Sequence, residues 1–173
     1  TAPLPGAAEY GFQLISKTAE QYGPGGRINI RSNGMNCSHC HLDAGKNLQA
    51  IPLTRVYLQY PKYRDRSGSH ESLYKRIKDC FERSLNGTAP DSNSKEYKAI
   101  HAYIKWLGKD IPKGKKPYGS GIEKLPMLQR AASPDNGKLV YTAQCLSCHG
   151  SNGEGQLLPN GNGYIYPPLW GEH

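Results

Sequence analysis

Methionine, phenylalanine and tryptophan are scarce in this chain, with two of each in 173 residues. Hydrophobic residues of all kinds reach only 36%. A protein this small with so few apolar side chains needs something more to pack on. The length allows one or two small domains. No apolar run is long enough to span a bilayer, and no secretory leader opens the chain, so the start at Thr1-Ala2-Pro3 is expected to be a mature end after processing. Strands and helices do not alternate as βαβ units, which removes a thioredoxin-like reading of any paired cysteines. The formal charge is +8, but the basic residues are scattered. Only Lys113-Gly114-Lys115-Lys116 is a cluster, so nucleic acid is not an expected partner.

Against these absences stand Cys37-Ser38-His39-Cys40-His41 and Cys145-Leu146-Ser147-Cys148-His149. Both read C-x-x-C-H, the attachment signature of c-type haem. Two thiols at this spacing can add to the two vinyl groups of one porphyrin, and the adjacent His lies under the iron as proximal ligand. Zinc also takes sulfur and nitrogen donors, but a zinc ribbon does not need a His directly after each second Cys. Two covalent haems c are therefore expected, held by Cys37, Cys40, His41 and by Cys145, Cys148, His149. Their large apolar faces suit the thin core. Their propionates would subtract roughly four charges and leave a mildly basic holoprotein, suited to a small anionic substrate or an acidic redox partner. Attachment of this kind occurs in the bacterial periplasm, which is the expected compartment.

Helical signals frame each motif. Gly6 to Tyr22 reads as a first helix, stopped by Gly23-Pro24-Gly25-Gly26. Ser69 to Leu85 reads as a helix capped by Ser69, with Leu73, Ile77, Phe81 and Leu85 as its apolar stripe. Ser94 to Leu107 reads as another, closed by Gly108. Ser133-Pro134-Asp135 starts a helix that runs into Cys145. From Gly150 to His173 only loop is expected. The repeat of helix, haem motif and loop predicts an all-α chain of two small class I cytochrome c-like domains in tandem. The first should occupy 1–112, a linker 113–130, and the start of the second 131–173. The second lacks a closing helix and is expected to be incomplete at its C-terminus.

The distal ligand of each iron is less plain. Neither Met35 nor Met127 lies between His41 and the linker. Cys80, His70 and His101 remain candidates for the first iron. Cys80 is favoured because it borders the apolar stripe with Arg76 one turn before it. For the second iron, His173 is the only strong ligand type after His149.

The stretch Arg76-Ile77-Lys78-Asp79-Cys80-Phe81-Glu82-Arg83-Ser84-Leu85-Asn86-Gly87 resembles the dihaem thiosulfate dehydrogenases. The resemblance continues at Asn33-Gly34, Tyr60-Pro61-Lys62-Tyr63, Trp106-Leu107 and Tyr166-Pro167-Pro168-Leu169-Trp170-Gly171. It implies periplasmic oxidoreductases that join two thiosulfates into tetrathionate, some working in reverse, with electrons passing through two haems to an acceptor cytochrome. It also implies His41 and Cys80 as axial ligands of the catalytic haem, Arg66 and Arg76 in the substrate pocket, and His149 on the second iron. The second distal ligand would fall past His173. Arg83 and Ser84 are further substrate candidates, and Cys80 is a candidate nucleophile. Two other readings remain: a dihaem electron carrier without substrate chemistry, and a cytochrome subunit of a sulfur-oxidising complex.

Overall fold

In the computed structural model the first helical segment is broken in two. Helix α1 runs Gly6–Ser16 and α2 runs Thr18–Tyr22, with Lys17 between them outside helical geometry. The buried Thr18 hydroxyl points back at the Leu14 and Ile15 carbonyls. Such local bonding competes with the helix and bends it. The structure describes residues 4–28, 32–112, 114–115, 126–157, 159, 161, 164–166 and 168–170. The chain divides into two units, Thr1–Ile122 and Glu123–His173.

In the first unit α1 packs on α5, Lys95–Leu107. Ser94 caps α5 by accepting from the Tyr97 amide, and Gly108 ends it. Tyr97, Ile100, Tyr103 and Ile104 give α5 its buried face. The crossing depends on Gly11: a Cβ there would lie 2.0 Å from the Ala99 carbonyl oxygen. A glycine lets two backbones approach where any side chain would hold them apart. Leu14, Ile15 and Tyr22 join this core with Leu73, Ile77, Phe81 and Leu85.

The helix expected from Ser69 to Leu85 needs correction. Lys62–Arg64 (β1) and Ser69–Glu71 (β2) form an antiparallel hairpin that takes up the first three residues. Ser72, not Ser69, is the cap, accepting from the Lys75 amide. Helix α4 covers Leu73–Asp79, and Cys80–Ser84 continues it as a π-helical turn. A short helix α3, Val56–Gln59, precedes the hairpin.

In the second unit α6, Pro134–Gln144, begins at Ser133, whose hydroxyl accepts from the Asn136 amide. It leads into α7, Leu146–His149. The tail expected to be loop holds a second small ladder, Gln156–Leu157 (β3) with Tyr164–Tyr166 (β4). The two ladders qualify the all-α expectation, though helices dominate. No helix among the described residues is long and apolar enough to cross a membrane. Most of 113–130, Pro167, Gly171 and His173 lie outside the described residues.

Candidate haem sites

The first motif is anchored by the helix break. Thr18 Oγ1 accepts the Cys37 amide at 2.9 Å, Ser38 Oγ donates to the Ser16 carbonyl, and Asn36 Oδ1 accepts from the Ala19 amide at 2.8 Å. Cys37–His39 then forms a 3-10 turn. Behind it, a turn at Asp43–Gly45 has positive φ at all three residues. The Tyr103 hydroxyl donates to the Ala44 carbonyl at 3.0 Å and ties this turn to α5.

His41 provides the test of whether haem fits. Its Nδ1 lies 2.7 Å from the Ile51 carbonyl oxygen. A carbonyl only accepts, so Nδ1 carries the proton and Nε2 keeps its lone pair for iron. Burial lowers the pKa of His41, the Ile51 hydrogen bond opposes this, and the Arg76 charge lowers it again. The ring is held neutral, as a metal ligand must be. The donor set therefore fits a haem on Cys37 and Cys40 with His41 as proximal ligand.

Cys80 sits at the junction of α4 and the π turn. Such turns often mark functional positions, because they re-aim one residue of a helix. Asn33 fixes the far end of the π turn against the approach to the motif. Its amide donates to the Leu85 carbonyl at 2.8 Å, its Nδ2 to the Ser84 carbonyl at 3.2 Å, and its Oδ1 accepts from Met35. Burial pushes the Cys80 thiol up, the Arg76 guanidinium pulls it down, and Asp79, Arg64 and Cys40 act on it as well. Burial pushes Cys37 up to about 11, and Cys80 is among the charges that it feels. The thiol of Cys80 thus shares its surroundings with the first motif and with Arg76.

The rival ligands make ring contacts of their own. His70 is on β2 in edge contact with Tyr63, 5.5 Å between ring centroids. His101 stacks on Tyr74 at 4.6 Å and meets Tyr57 edge-on. Among the substrate candidates, Arg76 is half-buried beside Cys80, while Arg66 lies in the exposed turn of the hairpin and Arg83 and Ser84 are exposed on the π turn.

Sequence reasoning missed Arg64, whose charge also acts on Cys80. It is half-buried, donates from Nη1 to the Tyr60 hydroxyl at 3.4 Å, and lies 3.9 Å from the Glu71 carboxylate. The signal was the Ser67-Gly68 pair, a turn mark that would have revealed the hairpin. Gly68 indeed has φ of 61°.

The second motif is held by hydrogen bonds within its own unit. The Tyr141 hydroxyl donates to the Gly150 carbonyl at 2.5 Å, Gln156 Nε2 to the Ser147 carbonyl at 2.8 Å, and the Gly155 amide to the His149 carbonyl at 2.9 Å. Trp170 Nε1 donates to the Asn152 carbonyl. Leu139, Val140, Leu146, Leu157 and Leu169 are exposed. A porphyrin on Cys145 and Cys148 would supply apolar surface that a unit of this kind needs, so the residues fit that group.

Comparison with known proteins agrees with this geometry. The SoxA/TsdA cytochrome c domain matches residues 29–112, and the cytochrome c family matches residues 134–172. Thiosulfate dehydrogenase of Psychrobacter arcticus is 41% identical over 166 residues, which cover 96% of this chain and 49% of that protein. The enzyme of Stutzerimonas stutzeri is 39% identical over 140 residues, 81% of this chain and 45% of that protein. The solved thiosulfate dehydrogenase TsdBA of Marichromatium purpuratum, in its as-isolated form, superposes with a TM-score of 0.75 at 29% identity, covering 99% of this chain and 37% of that one. The chain thus spans about half the length of the curated relatives it matches. Fold and sites together define a c-type cytochrome with two domains in tandem. Within that class, the chain is similar to the thiosulfate dehydrogenases along most of its length.

Proposed function

We propose that this chain is the catalytic and electron-transferring part of a periplasmic enzyme that joins two thiosulfates into tetrathionate. It carries two haems c, one on each C-x-x-C-H motif, and passes electrons to an acceptor cytochrome or another redox protein. The observation that carries the proposal is Cys80, a lone thiol at the α4/π junction, sharing its surroundings with Cys37, Cys40 and Arg76.

The reaction brings two dianions together. At about 5 Å and an effective dielectric of about 20 they repel by roughly 13 kcal/mol. Guanidinium groups offset this, because their planar fork donates two parallel hydrogen bonds to an oxyanion. Arg76 is the first such group and Arg66, from the resemblance, a second, with Arg83 and Ser84 as further contacts. The Cys80 thiolate acts as nucleophile. It forms an S–S bond with the outer sulfur of one thiosulfate, and two electrons leave. The second thiosulfate attacks that outer sulfur, breaks its bond to Cys80, and departs as tetrathionate with the thiolate restored. Haems held by Cys37, Cys40 and His41 and by Cys145, Cys148 and His149 would supply the electron acceptors, one electron each. Protein side chains do the rest: Arg76 orients the anions, and the Asn33 clamp holds Cys80 in reach of them.

Adding thiosulfate to the oxidised holoprotein is the test. Direct bleaching of the oxidised bands supports the enzyme, and Cys80→Ser should lose turnover. A protein that stays oxidised in thiosulfate but accepts electrons from a reduced cytochrome is a carrier, and the proposal is then wrong.

A further inference from the structure

We propose that Asn33 is a positioning residue for Cys80: by keeping the π turn in register, it sets how firmly the Cys80 sulfur is held on the first haem iron and how readily it is freed to react. This rests on the reading of Cys80 given above, in which one sulfur serves as ligand and as nucleophile. The turn has a register to keep. The Leu85 amide donates to the Cys80 carbonyl at 3.0 Å, where an α-helix would bond Ser84 instead. One extra residue is thus stored between Cys80 and Leu85. Each residue of an α-helix turns it by roughly 100°, so losing the extra one would rotate Cys80 against Leu85 by about that much.

The last carbonyls of a helix have no partner within it. Asn33 takes two of them, Leu85 through its amide at 2.8 Å and Ser84 through Nδ2 at 3.2 Å. The Met35 amide donates to Oδ1 at 3.1 Å. That bond fixes the orientation of the side chain, because an amide N–H only donates and a carbonyl only accepts. Asn33 is 1% exposed, so water does not compete for these bonds. Two residues past Met35 comes the first attachment thiol. Asn36 and Cys37 are tied to α2 through the Ala19 amide and the Thr18 hydroxyl. Tyr22, the last residue of α2, meets Phe81 edge-on at 5.1 Å, and Phe81 follows Cys80. The π turn is therefore held from two sides, and both holds lead back to Cys37. The ring contact keeps Phe81 buried. Only the hydrogen bonds from Asn33 are directional enough to fix which carbonyl sits where.

The test is a cyanide titration of the ferric holoprotein, followed by paramagnetic resonance at the low-spin thiolate signal of the first haem. Cyanide takes the iron when Cys80 is off it, so its apparent affinity rises with the fraction of protein in that state. Asn33→Ala loses the bond to Ser84 and should bind cyanide about tenfold more tightly. Asn33→Asp keeps an acceptor for Met35 but no donor for Ser84, and should shift affinity at least as far. Ser32→Ala is the control. The Ser32 hydroxyl accepts from the Gly34 amide in the same stretch, with no bond to the π turn, and its loss should leave affinity within twofold of wild type. Hydrogen exchange should show the Leu85 amide losing protection in Asn33→Ala while α5 keeps its own. Affinity within twofold of wild type in Asn33→Ala overturns the proposal, as does an equal rise in Ser32→Ala. Loss of haem from both Asn33 variants also overturns it, because Asn33 then serves the fold and not the ligand. A wild-type protein without the thiolate signal, or a signal that survives Cys80→Ser, removes the reading of Cys80 itself. With that signal intact and lost in Cys80→Ser, a failure belongs to Asn33 alone.

Discussion

Both units run a capped or broken helix into C-x-x-C-H, yet they are built differently. In the first, side chains from Ala8 to Ile104 bury one another in a continuous core. In the second, no apolar side chain is buried among the described residues, and Leu139, Val140, Leu157, Leu169 and Trp170 are exposed. The first motif is docked on protein through Thr18, Asn36 and Ser38. The second is held by hydrogen bonds from Tyr141 of α6 and Gln156 of β3, within its own unit. A porphyrin on the first motif would meet a folded scaffold. One on the second would supply apolar contacts that this unit lacks among its described residues. The unit to which the proposal assigns the chemistry is the one with a packed core of its own around Cys80.

The largest effect should come from removing the attachment thiols. With Cys145 and Cys148 both changed to Ser, amide protection should vanish across α6 and α7 while α1 and α5 keep theirs, as hydrogen exchange would record. The matching pair at Cys37 and Cys40 should leave the α1–α5 pair protected. Protection of α6 without haem would break the contrast. Next, Phe81→Ala should cost about 3–5 kcal/mol, since Phe81 is buried against Tyr22. Leu128→Ala should stay within about 0.5 kcal/mol, because its side chain is exposed. Denaturant midpoints measure both.

A smaller change is expected from Thr18→Val. It leaves the Cys37 amide without an acceptor and should cost about 1–3 kcal/mol, against about 1 kcal/mol for Tyr141→Phe in the second unit. Thermal unfolding followed at each haem would separate the two. The smallest effect is one of pH. Burial first, then Lys105, holds His101 below its ordinary value. The unfolded chain therefore protonates first, and the stability that neutral His101 contributes is present above about pH 6.5. It is lost as pH falls through the lower folded value. The melting temperature should drop from pH 7 towards pH 5, and less steeply in His101→Phe, which keeps an aromatic ring beside Tyr74.

Several elements were legible because their signals are local. Ser94 and Gly108 bracket α5 as caps do, and Ser133-Pro134 opens α6. The doubled C-x-x-C-H needed no structure to be read. Ser69 misled, since it looked like a cap while Ser72 stood three residues on. The competing strand pairing with Lys62–Arg64 is a longer-range event that no window over the helix contains. The break at Lys17 was hidden for a similar reason: Thr18 turns aside to serve Cys37, nineteen residues away.

The amino-acid order alone determined which atoms could grip a porphyrin and where the long helices start and stop. Those properties depend on neighbours a few residues apart, where spacing is geometry. Only the folded chain decided that Arg64 is half-buried and Arg66 lies in a turn. It also decided that Cys80, forty residues beyond Cys40, enters the surroundings of the first motif. Strand register and helix crossing settle such encounters, and both are fixed by packing between distant segments.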